Sequence, residues 1–380
     1  MVEAPVLNHG GSDRPLRVLV LTIKPKGLSP GQRFRLEQWA SPLASKHGVT
    51  MDFAPFESQH LTRLLYQPGH IGKKIYWVAR DFLRRARVVA RSGGYDAAIV
   101  YREAALIGPA VYERLLARSG VPMFFDFDDA IWSPTQDAAS VNGFFSKLHF
   151  WGKTSTTCRI AAGVIAGNNY LADYARQRND NVIVIPTTID LDDYPVQLEP
   201  AANEPFIVGW TGSLSTLQHF EFARGALERL ARQRRVQVKV ICNEPPARPI
   251  EGAENVFIRW SEDREAENVG ACHVGIMPLP DDDYTRGKCG LKAIQFMATG
   301  RPVVIAPVGM NNDLIQHGVN GFLAGTEDEW FEHLNALAVS PELRARIGAA
   351  GRKTVETGYS AEVGASGLAA ALRASVAEPQ

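Results

Sequence analysis

The densest run of reactive residue types lies between Gly275 and Val304, where an apolar strand opens into a loop carrying Arg286, Gly287, Lys288, Cys289, Gly290, Leu291 and Lys292. The two glycines allow a tight turn, and the run from Leu291 to Thr299 predicts a helix that Gly300 ends. Free amides and the positive end of that helix's dipole would face the loop, and Arg286, Lys288 and Lys292 add three cations within seven positions. A diphosphate fits such a loop, although a basic solvated turn reads from the same residues. The turn from Gly209 to Thr216 has the same order of strand, glycine and hydroxyl-capped helix start, and offers a second set of amides from Thr211, Gly212 and Ser213.

Another strand, from Met123 to Trp132, carries Asp126, Asp128 and Asp129 at its carboxyl end, the end where open α/β sheets bind ligands. Its period of two puts Asp126 and Asp128 on one face. These acids could hold a divalent metal or the hydroxyls of an acceptor. The loop cations and helix dipole already serve a phosphate, so acceptor binding is expected and no metal, with a capping role open to Asp129. The loop from Lys24 to Arg35 brings Arg33 and Arg35 to the opening of the first helix, where an anionic acceptor or donor phosphates would suit them; a solvated basic loop is the alternative. His219, His273 and His317 lack metal-ligand spacing, and Trp260 suits either a nucleobase or a packed core.

Short β-branched runs alternating with amphipathic stretches position these loops, a pattern of βα units on parallel sheets. Strands are expected at 17–23, 49–56, 97–102, 122–129, 162–167 and 182–187, then at 206–211, 236–242, 256–260, 273–279 and 303–307. The segment from Pro186 to Pro205, with four prolines, several acids and no periodicity, reads as a linker with its boundary near Pro195. Thr326 and Glu329 form a capping box, Asn320 and Gly321 a tight turn, and the chain after Ser360 a small-residue helix. From Lys73 to Arg91 seven basic residues meet one acid; Arg80, Arg84, Arg87 and Arg91 form a stripe opposite Ile75, Phe82, Ala86 and Val89, which are expected to pack on the sheet and leave a face for anionic lipid.

With 380 residues the chain is long enough for two domains, and 41 basic against 41 acidic residues give no global field for nucleic acid. A hydrophobic fraction of 45% with 22% charged residues excludes disorder and an integral membrane bundle. The four cysteines stand far apart, and the opening residues lack the order of a signal peptide, so a cytoplasmic protein, peripheral at most on the inner face of the membrane, is expected.

The two glycine turns in this order, Gly300, Arg301 and Pro302 after Met297 and Ala298, the turn from His317 to Leu323, Gly351 with Arg352 and the terminal helix resemble the retaining GT-B glycosyltransferases of family 4. The resemblance covers nearly the whole chain and is looser in the first half. It implies a GT-B α/β fold of two Rossmann-like, doubly wound domains facing a cleft: an acceptor domain over residues 1–195, a donor domain over 196–360, and a final helix over 361–380 crossing back to the first. It also implies an enzyme that moves a sugar from a nucleotide-diphosphate donor to a sugar or lipid-linked acceptor hydroxyl with retention, in polysaccharide, glycolipid or related glycoconjugate synthesis, without a cofactor. Gln295 would then meet the ribose, and Asp128, where many relatives have a cleft histidine, would contact the acceptor hydroxyl or the transferred sugar. Two features depart from the family: Gly287 and Gln295 replace its usual glutamate pair, and Ser213 and Gln218 stand near its usual arginine and lysine. A nucleotide-sugar epimerase and a non-catalytic scaffold subunit of a glycan assembly complex are the rival readings.

Overall fold

The computed structural model describes residues 14–377 except 66, 68, 134–149, 151 and 202–204. The opening residues and part of the expected linker lie outside the described set. The first sheet holds β1 (Leu16–Thr22), β2 (Val49–Pro55), β3 (Ala97–Tyr101), β4 (Met123–Phe127), β5 (Gly163–Ala166) and β6 (Val182–Val184), in the order β2-β1-β3-β4-β5-β6. The second holds β7 (Phe206–Thr211), β8 (Val236–Cys242), β9 (Glu254–Arg259), β10 (Val274–Met277), β11 (Val303–Ile305) and β12 (Phe322–Leu323), in the order β12-β11-β10-β7-β8-β9.

All pairings are parallel. Parallel sheets covered on both faces need strands that are apolar throughout, and β3, β4, β7 and β10 are buried at every position. In each sheet the strand order reverses beside the first strand, between β1 and β3 and between β7 and β10. Loops leaving the carboxyl ends of strands diverge at such a point and open a crevice.

The final helix, Ala361–Ala377, returns to the first lobe and packs on the helix Ala40–His47. Its Ala365, Leu368 and Leu372 are buried in one apolar cluster with Val18, Val20 and Trp39. Gly364 lies against the Trp39 indole with no room for a side chain.

The long basic helix spans Ile71–Ala90 and differs from its expected orientation in two places. Lys74, Val78, Asp81, Arg85 and Val89 face inward, whereas Ile75, expected to pack, is 55% exposed. Arg84 leaves the expected outer stripe to donate to the carbonyls of Pro55, at 3.0 Å, and Phe56. The inward face buries charge where partners are at hand: Lys74 donates to the carbonyls of Leu65 and Gln67, Asp81 accepts from Ser58, and Arg85 donates Nη2 to Thr22 O while its Nε and Nη1 find no partner among the described residues.

Candidate functional site

Both reversal points open onto one cavity of 440 Å³ between the lobes. From the end of β7 come Thr211, Gly212 and Ser213. A side chain at Gly212 would place its Cβ 2.7 Å from the Trp210 ring and 2.8 Å from Lys292 Cε, so only glycine lets Lys292 cross this turn. From the end of β10 the chain makes one helical turn capped by Asp282, then Gly287. Gly290 follows in the left-handed region, φ 65°, where glycine is unstrained, and starts the helix Leu291–Ala298. Lys288, Cys289, Gly290, Leu291, Lys292 and Gln295 all line the cavity.

The two lysines are held differently. Lys288 Nζ donates to Asp129 Oδ1 and to Tyr284 Oη, each at 2.8 Å. Burial acts against its charge, but Asp129 outweighs that and holds its pKa above the ordinary lysine value. Lys292 Nζ donates to Thr216 Oγ1 at 3.0 Å and lies 4.5 Å from the centre of the Trp210 ring. With no carboxylate beside it, burial first and Lys288 second push its pKa down to about 7. His219 is pushed down to about 4 by burial and by both lysines. Lys292 thus lines the pocket without a carboxylate to match it, while Arg33, Arg102 and Lys288 are each paired with an acid.

Arg286, expected beside these lysines, is turned away. Its guanidinium pairs with Asp281 at 2.7 Å and Asp283 at 3.6 Å on the exposed side of the loop, and it does not line the cavity. Asn168 of the first lobe instead takes hold of this loop, donating to Lys288 O at 3.0 Å. Gly287 presses on the first lobe: an added Cβ would meet Ala130 Cβ and N at 2.8 Å. That contact leaves no space for a side chain at residue 287.

On the facing wall the three aspartates diverge. Asp126 is fully buried and takes two parallel hydrogen bonds from Arg35, Nε at 2.8 Å and Nη2 at 2.9 Å, while Arg35 Nη1 donates to Ile185 O. Arg35 and Asp126 thus form an internal ion pair and neither meets the cavity, in contrast to the acceptor-binding role expected of both. Asp128 and Asp129 do line it. Asp128 Oδ1 accepts from Arg102 Nε at 2.7 Å and Tyr101 Oη at 2.9 Å. Burial favours its neutral form, yet Arg102 overrides this and keeps its carboxyl below the ordinary aspartate value. Asp129 bridges Arg102, at 3.0 Å, and Lys288.

Arg33 lines the cavity and pairs across the lobes with Glu262, at 3.0 Å, and with Glu265. Glu265 also accepts from Tyr194 Oη at 2.7 Å and Trp260 Nε1 at 2.8 Å. Gln295 Nε2 donates to Tyr194 Oη at 3.1 Å, which orients its amide at this end of the cavity. Sequence reasoning did not find Glu265, Tyr194 or Arg102. Arg102 directly follows the carboxyl end of β3, so its position was a usable signal. Glu265 gave none, because two of its partners, Arg33 and Tyr194, lie on remote segments and only Trp260 is near it in the chain. Among the described residues no group of three or more His, Cys, Asp or Glu side chains is gathered as a metal site.

Residues 205–339, the greater part of the second lobe, match the family of glycosyl transferases group 1. A stretch of 91 residues is 40% identical to D-inositol 3-phosphate glycosyltransferase of Streptomyces griseus, covering 23% of this chain and 18% of that protein's length. The crystal structure of Anabaena HepE in complex with UDP and glucose is similar over 93% of this chain and 98% of its own, with TM-score 0.61 and 17% identity. A glycosyltransferase from Rickettsia africae is similar over 96% and 100%, with TM-score 0.67 and 13% identity. The chain thus has the GT-B glycosyltransferase fold, and its second lobe matches glycosyl transferases group 1.

Proposed function

We propose that the protein transfers a sugar from a nucleoside-diphosphate sugar to a hydroxyl of a sugar or lipid-linked acceptor, with retained configuration, in glycoconjugate synthesis. The observation that carries this reading is the convergence of Lys288, Lys292 and residues 289–291 at the start of the helix Leu291–Ala298 on the cavity at the β7/β10 reversal, facing Asp128 and Asp129 of the other lobe. The similarity to a protein whose structure contains UDP and glucose supports the donor class.

The diphosphate lies between the Gly212–Ser213 turn and the start of the helix Leu291–Ala298, with Lys288 and Lys292 as its cations. As the bond between the anomeric carbon and the phosphate oxygen breaks, negative charge grows on the leaving diphosphate, where these groups stabilise it. The acceptor oxygen bonds to the anomeric carbon on the same face, and its proton passes to the departing phosphate. Asp128 orients the acceptor hydroxyl. Its depressed pKa makes it a weak base, so positioning is its contribution and the phosphate is the better proton acceptor. Gln295, held by Tyr194, meets the ribose.

Turnover with a panel of nucleoside-diphosphate sugars tests the reading. Release of nucleoside diphosphate, with sugar passed to an acceptor or to water, is expected. Saturable binding of every donor without turnover refutes it in favour of a scaffold.

A further inference from the structure

The helix Ile71–Ala90 exposes an apolar ridge that the cleft does not use. Ile71, Ile75 and Leu83 are 68%, 55% and 61% exposed, and with exposed Ala79 they stand at four-residue spacing along one side. Tyr76, 63% exposed, stands beside them. Single exposed apolar residues need no explanation, but four large ones on one helix make a continuous surface.

Exposed Lys73, Arg80, Arg87 and Arg91 occupy the adjoining strip of the same helix and its end, and among the described residues none of the four enters an ion pair. Arg80 lies over the Trp77 ring, 4.7 Å from its centre. The helix's one acid, Asp81, is buried and accepts from Ser58 N and Oγ, each at 2.9 Å, so the helix offers no carboxylate outward. The neighbouring helix Val111–Ala117, joined to this one by Tyr112 Oη donating to Phe82 O at 2.6 Å, exposes Val111 and Leu115 together with Arg114.

We propose that this face seats the protein on an anionic lipid surface, with Ile71, Ile75, Tyr76 and Leu83 entering the acyl boundary and Lys73, Arg80, Arg87 and Arg91 on the head groups. The pairing of an apolar ridge with an uncompensated cationic strip matches the two chemical layers of such a surface. A partner protein of mixed charge would leave these cations without a match. The inference rests on the helix surface alone and stands apart from the transfer reading.

Co-sedimentation of the full chain with phosphatidylglycerol-containing vesicles, against pure phosphatidylcholine vesicles, tests it at about 50 mM and about 500 mM salt. The protein is expected to pellet with the anionic vesicles at low salt and to lose several-fold in partition at high salt. The variant Ile75→Asp with Leu83→Asp is expected to lose about tenfold or more at low salt, and Arg80→Gln with Arg87→Gln to lose a comparable factor together with much of the salt dependence. Both variants should bind a nucleoside diphosphate like the parent, which shows that the cleft is intact. A parent that stays in the supernatant at low salt overturns the proposal, as does an Ile75→Asp, Leu83→Asp variant that pellets like the parent. A solution dimer split by Leu83→Asp also overturns it and makes the face a contact between two copies.

Discussion

With the donor phosphates placed as proposed, Lys292 should make donor affinity depend on pH in a direction and window that its surroundings define. In the empty cleft burial holds its pKa near about 7, and the titratable groups nearest it are Lys288, His219 and Cys242. At pH 8 about nine-tenths of the free protein therefore carries it neutral. A bound diphosphate supplies the missing counter-charge, raises its pKa, and draws one proton from solution. The probe should be a nucleoside-diphosphate sugar, whose phosphates are both esterified and keep their charge across this range. Between pH 6.5 and pH 8.5 the charged fraction of the free lysine falls from about three-quarters to about 3%, so affinity should weaken by up to about 25-fold. His219, held near about 4, contributes no change in that window. Calorimetry at pH 8 in two buffers of different ionisation enthalpy should show uptake of close to one proton per donor bound. The Lys292→Met variant should bind weakly with a flat profile. A parent profile that is flat, or an equal slope in Lys292→Met, refutes the placement of this lysine at the phosphate.

The same linkage predicts that the empty parent gains stability as pH rises from about 7 towards 10, because the unfolded chain holds the proton that the folded lysine gives up; thermal melts across that range check it. Asp128→Asn should cut turnover by about a hundredfold while changing donor affinity little, since the amide keeps the carbonyl that accepts from Arg102 and loses the charge facing the acceptor; initial rates and calorimetry separate the two effects. Gly287→Glu, which restores the carboxylate usual among relatives, should lower both donor affinity and melting temperature, because the new side chain meets Ala130. Arg35→Ala should destabilise the fold by about 3–5 kcal/mol by stranding buried Asp126, as measured by denaturant unfolding.

Legibility in the sequence followed the range of the interactions. Phe206–Thr211 was readable to the residue because it is a nearly continuous apolar run, and Val236–Cys242 because Val236, Val238 and Val240 alternate with Gln237 and Lys239 before Ile241 and Cys242. The two-residue β12 was not, since Phe322 and Leu323 are too short a run to show a period. The cavity-lining loop from Lys288 to Lys292 was readable because its glycine, lysines and helix start are contiguous. Arg286 was misjudged within that same loop because an acid five positions earlier competes for it. Arg35 and Asp126 looked like cleft residues because nothing local shows that two charges 91 positions apart satisfy each other inside the lobe. The long helix was read as amphipathic, but exposed Ile75 shows that its apolar residues serve two surfaces.

The docking of Ala361–Ala377 against Trp39 and the β1 side of the first sheet imposes an order on synthesis. A ribosome completes every strand of the first lobe before it begins the second, yet the wall that covers Val18, Val20 and Trp39 is made only after every strand of the second. The second lobe can close over its own core while the first still waits with a bare apolar flank. A stop codon near residue 360 would remove part of the first lobe's interior rather than a dispensable tail.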